Sequence, residues 1–143
     1  MLDISNINLN EWIKFAIAFH LGSLIFFSAI IAPTTFITLK ESDARKFVRS
    51  VFPKLYLWSI ILNAFIFILI ILYLNFHLLS LFSGLVLLGY IFSRQVLMPK
   101  INQSSDQKKN IDSNNKRFRN LHNFSVLIFI CQKILLFIVY LKI

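Results

Sequence analysis

Hydrophobic positions in this chain gather into four long runs separated by polar stretches, with neither the alternation of strands nor the polar face of a surface helix. The first run extends from Trp12 to about Leu39 and is broken only by Lys14, His20 and small or hydroxyl residues. A helix crosses the bilayer core in roughly 20 residues, so this run is long enough to span. It also exceeds the apolar core of a secretory signal and is preceded by Asp3 and Glu11 rather than by basic residues, which predicts a retained helix. Pro33 near its far end predicts either a kink or an end to the regular helix at Ala32. The second run covers Leu55 to Leu74, with Tyr56, Trp58 and Tyr73 where amphipathic rings favour a headgroup boundary. The third covers Leu78 to Met98 and stops at Pro99, and the fourth covers Leu121 to Leu141.

The connections complete the prediction. Lys40 to Pro53 is polar and basic, with Phe47, Val51 and Phe52 spaced as in a short interfacial helix. Asn75, Phe76 and His77 leave room only for a tight turn, and Lys100 to Asn120 is a polar stretch expected to be mobile at its middle. The expected architecture is all-α: a four-span transmembrane helix bundle built from two helical hairpins, with residues 1–143 as a single integral membrane domain and spans at about 12–39, 55–74, 78–98 and 121–141. The hairpins resemble each other. Ala32-Pro33, a basic loop and Arg45-Lys46-Phe47 in the first correspond to Met98-Pro99, a basic loop and Lys116-Arg117-Phe118 in the second, as in a parallel duplication about the membrane normal.

Composition agrees, since 57% of the 143 residues are hydrophobic and only 15% are charged, too few for a water-soluble globule. A net charge of +9 could signal nucleic acid, but its distribution argues otherwise. Twelve of the fifteen basic residues lie in or beside the two long connections, leaving Lys14, Lys133 and Lys142 elsewhere. Basic loops are retained on the cytoplasmic side, so both termini and the His77 turn are expected outside. The expected partners are the lipid bilayer and anionic headgroups, with a homo-oligomer compatible and no nucleic acid needed. Ile, Phe, Lys and Asn usage suggests a bacterial cytoplasmic (inner) membrane. The single cysteine, Cys131, excludes an intramolecular disulfide and a cysteine metal cluster.

No soluble-enzyme signature is present, so no catalytic and no metal residue is assigned, and enzyme chemistry is not favoured. All six acids, Asp3, Glu11, Glu41, Asp43, Asp106 and Asp112, fall outside the expected spans, which argues against an ordinary proton-coupled transporter. Polar groups within the spans are His20, Asn63, Ser80, Ser83, Gln132 and Lys133. Counted from Trp12 and Leu141, His20 and Lys133 each lie about 12 Å below the outer surface, at one level. They are candidate cofactor ligands, haem being the cofactor considered, while Asn63, Ser83 and Gln132 are expected to line a polar pocket opening outward. The plainer reading is that each polar group hydrogen-bonds a neighbouring helix and that Lys133 reaches up to water or Glu11.

Several motifs carry a family resemblance: His20-Leu21-Gly22, Ala32-Pro33-Thr34-Thr35-Phe36, Phe52-Pro53-Lys54-Leu55-Tyr56, Met98-Pro99-Lys100-Ile101 and Phe118-Arg119-Asn120-Leu121-His122-Asn123-Phe124-Ser125. Their order and spacing resemble domain of unknown function 4149, whose animal relatives are the transmembrane-protein-205-like proteins, over about residues 12 to 130. The resemblance implies a four-span membrane protein without an established activity, loosely associated in animals with export of toxic metal drugs. Span one also resembles the start of the copper resistance D proteins and of the protoporphyrinogen oxidase HemJ, which pairs an early histidine with a late lysine, here His20 with Lys133. Pro33-Thr34-Thr35-Phe36 departs from the Pro-Arg-Leu-Phe run expected of that oxidase. Three functions are therefore in view: a structural or transport-assisting membrane protein, a haem- or metal-binding redox protein, and an exporter of small solutes or toxic compounds.

Overall fold

The computed structural model describes residues 9–73, 77–106 and 112–143, and among these every residue except Leu39, Lys40 and Ile143 is helical. Four helices result: α1 (Leu9–Thr38), α2 (Glu41–Tyr73), α3 (His77–Asp106) and α4 (Asp112–Lys142). All four are long and apolar enough to cross a bilayer. Large apolar side chains such as Phe15, Ile68, Leu85 and Phe137 are exposed on their outward faces, a surface that lipid covers and water would not tolerate. The chain is an integral membrane protein. The turn expected at Asn75 and Phe76, and residues 107–111 at the middle of the second polar connection, lie outside the described residues.

Each helix packs on its neighbours in sequence, and α1 closes the ring against α4. The buried positions explain how. They include 13, 17, 20 and 24 on α1, 56, 59, 63, 66 and 70 on α2, and 79, 83, 86 and 90 on α3. Steps of three and four residues give the 3.5-residue seam of knobs-into-holes bundles. Ile13, Ile17, Leu24, Ile66, Ile70 and Leu136 fill it with no exposed surface. His20, Ser59, Asn63 and Ser83 occupy the same seam.

The helices are longer than the apolar runs. The basic interval from Glu41 to Pro53 is not a separate interfacial helix but the first part of α2, continuous with the apolar run. Its start suits the helix dipole and local pairing. Glu41 and Asp43 occupy the first turn, Glu41 pairs with Arg45, and Asp43 with Lys46 at 3.6 Å. Pro53 lies inside α2 without ending it. Pro33 and Pro99 likewise sit inside continuous helices, and each is preceded by a widened π turn, Phe27–Ile31 in α1 and Ser93–Leu97 in α3. A proline lacks the amide proton and crowds the carbonyl four residues back, and a π turn relieves both conflicts without breaking the helix. The likeness of the hairpins thus extends to backbone geometry, since both π turns begin six residues before the proline.

Candidate functional site

Polar side chains occur in two surroundings. The first is the sealed seam. His20 stands between Ile17 and Leu24 on the buried stripe of α1, has no exposed surface, and lies 5.6 Å from Tyr90, centroid to centroid. The Asn63 amide donates to the Ser83 carbonyl at 2.8 Å, joining α2 to α3. The Gln132 amide donates to the Val86 carbonyl at 3.5 Å, joining α4 to α3. Gly89 makes room for the second contact, because a Cβ there would stand 2.6 Å from Gln132 Nε2. Asn63 and Ser83 are therefore brought together, with Gln132 one turn further along α3, and all three act between helices. Both His20 ring nitrogens, Tyr90 Oη, Asn63 Oδ1, Ser83 Oγ and Gln132 Oε1 have no hydrogen-bond partner.

A haem at His20 would need an open face beside the ring. The imidazole is fully enclosed and does not line the cavity described next, so the residues around His20 do not fit a macrocycle.

The second surrounding is a cleft. Lys133 is placed on α4, whose chain starts at the basic end of the bundle, and side chains on a helix lean toward its N-terminus. The lysine stem accordingly points toward the basic end and away from Glu11. Its amine lies 3.4 Å from Ser28 Oγ and 4.5 Å from the centroid of Phe129, one turn back. Ser28 is two turns past His20 on α1, so His20 and the Lys133 amine do not form one ligand pair. Glu11 pairs instead with Lys14 at 4.0 Å. No described carboxylate pairs with Lys133.

The amine borders a cavity of about 420 Å³. It lies where α1 and α4 separate: α1 packs on α4 through Leu9–Phe26, and the cavity begins at Phe27, the first residue of the π turn. Phe27, Phe36, Phe52, Tyr56 and Phe129 form its walls, and Arg49, Asn102, His122 and Ser125 form the rim toward the basic end. Phe36, Val126 and Ile130 line it and are exposed, so it opens sideways between α1 and α4. Among the described residues, three basic side chains and no acidic one line it. Arg49 is already engaged, donating to the Asp106 carboxylate at 2.5 Å and to the Asn102 carbonyl at 3.3 Å. His122 stacks on Phe118 at 6.0 Å and is exposed.

Of the residues expected to form a site, only Lys133 borders the cavity. Ser28, Arg49, Phe52 and Phe129 were not anticipated as its partners. The available signal was the direction of α4, which sets where a lysine stem points, together with a serine set among aromatic residues ahead of Pro33.

A family model described as domain of unknown function (DUF4149) matches residues 15–110. The match covers more than half of the chain, and the protein belongs to that family. It takes in most of α1 and all of α2 and α3, while α4 with Gln132 and Lys133 lies beyond it. No curated protein and no solved structure matches the chain.

Proposed function

We propose that this protein is a multi-pass binding protein of the bilayer that admits an apolar or amphiphilic solute to the cleft between α1 and α4, assisting its passage or partition without making or breaking bonds. One observation carries the reading: a cavity of about 420 Å³, walled by aromatic rings and open to the lipid-facing surface. Its size falls within the range of small-molecule sites, roughly 300 to 1,000 Å³. We further propose that the basic end faces the cytoplasm of a bacterial cell, with both termini outside, on the distribution of Lys and Arg. The cleft then opens within the cytoplasmic leaflet.

The rival functions draw less support. The resemblance to transmembrane-protein-205-like proteins points to export of toxic metal compounds, but a cationic solute would meet Lys133, Arg49 and His122 with no carboxylate among the described lining residues. Redox chemistry at His20 would require the bundle to open around an enclosed ring.

The test is photolabelling of the full chain in lipid vesicles with a neutral long-chain alcohol bearing a diazirine, followed by peptide mapping. Adducts are expected to concentrate on Phe27, Phe52 and Phe129. Labelling no denser there than on the outward Ile68 and Leu85 would overturn the reading.

A further inference from the structure

We infer that the solute held in this cleft is a single-chain amphiphile ending in a carboxylic acid, drawn from the bilayer, with its carboxylate on the Lys133 amine and its chain along Phe27, Phe52 and Phe129. The inference rests on the proposed role of the cleft and adds the class of ligand. An ammonium group among aromatic walls is costly unless an anion or water compensates it, and among the described residues Lys133 has only a hydroxyl oxygen and a ring face beside it. Arg49 and His122, the other basic groups among the described lining residues, are paired or exposed: Arg49 is held by Asp106, and His122 lies on Phe118 at the rim. Among the described residues, Lys133 is thus the lining cation that is neither paired with a carboxylate nor set at the exposed rim. An ammonium carries three donors, and a hydroxyl at 3.4 Å satisfies at most one.

The chemistry of the anion follows from what the site lacks. Ser28 donates its own proton to the Leu24 carbonyl at 2.7 Å, so it offers Lys133 an oxygen and offers an anion nothing. One ammonium matches one negative charge, whereas a phosphate monoester brings up to two and more acceptors than this site can meet. Access favours the same answer. A carboxylic acid can move through an apolar layer uncharged by keeping its proton, while a phosphate ester remains anionic at neutral pH. The exposed Val126 and Ile130 beside Phe129 leave the chain a route back into lipid, so the acyl length need not match the cavity.

The experiment uses the full chain in vesicles and diazirine probes of equal chain length, ending in a carboxylic acid, a primary alcohol or a phosphate monoester. Labelling of cleft peptides is normalised to labelling at Ile68 and Leu85. The acid is expected to label the cleft about tenfold more than the alcohol, Lys133→Met to bring it down to the alcohol level, and Lys133→Arg to retain the preference. Lys133 is half-buried, so these variants are expected to fold, and unchanged alcohol labelling verifies that the cleft is intact. Equal labelling by acid and alcohol, a preference that survives Lys133→Met, a preference lost instead with Arg49→Met, or stronger labelling by the phosphate ester would each overturn the inference while leaving the cleft a ligand site. Absence of cleft labelling by the alcohol as well would overturn the underlying reading of the cleft.

Discussion

The seam through Asn63, Ser83 and Gln132 and the cleft around Lys133 both place polar atoms among apolar side chains, and they resolve the conflict differently. In the seam the groups are neutral, fully enclosed, and tied across helices by single amide-to-carbonyl bonds. In the cleft the groups are basic and the packing gives way to a cavity. A neutral amide can be enclosed because one good partner offsets much of its desolvation, whereas a charge needs an opposite charge or access to solvent. The identity of the polar group thus matches the local packing: where a lysine enters the bundle, the bundle stays open.

That contrast can be broken by substitution, with the largest effect expected in the seam. Tyr90→Ala removes a fully buried ring packed against His20 and Tyr56, and is expected to lower stability by about 2 to 3 kcal/mol in detergent-induced unfolding. The figure reflects lost packing, since lipid is as apolar as the core. Phe129→Ala, facing an existing void, serves as the comparison; an equal loss there would show that the cleft is packed as tightly as the seam. Asn63→Ala is expected to cost about 1 kcal/mol by the same measurement, the scale of an interhelical hydrogen bond within a membrane. A neutral effect would mean that the orphaned Asn63 Oδ1 cancels what the amide contributes. The smallest effect belongs to the rim, where a double-mutant cycle of Arg49→Met and Asp106→Asn is expected to give a coupling of about 0.5 kcal/mol, weakening with salt. A coupling above about 2 kcal/mol would make the rim a structural clamp comparable with the seam.

Sequence patterning reveals the four helices because crossing a bilayer demands long runs with few charges, a constraint that few other folds share. Which face of each helix is buried is much harder to read. On a soluble helix the polar side marks the surface, but here Phe15 faces lipid and Ile17 faces the core, and hydrophobicity does not separate them. The buried seam shows only where it carries polar residues, which is how His20, Asn63, Ser83 and Gln132 become visible. The basic interval before Leu55 reads as a connection because Pro53 and four cations interrupt the apolar pattern, although its i,i+3 and i,i+4 ion pairs are compatible with the helix that forms. The cleft is hidden for another reason. Its existence depends on α1 and α4 parting after Phe26, a relation between distant segments that no local pattern encodes. Counting helix rise places His20 and Lys133 at equal depth, but the depth of a backbone position does not fix where a long stem delivers its charge.

The widened turn at Phe27–Ile31 has an evolutionary corollary. Such a turn is equivalent to one extra residue slipped into an ordinary helix and taken up locally, so the residues after it keep the faces they would have without it. Without the widening, the same extra residue would rotate everything after it by about 100 degrees, and Phe36 would leave the wall of the cleft. In this way one crossing can carry a single-codon insertion and still offer the chamber the same flank, with the other three crossings untouched.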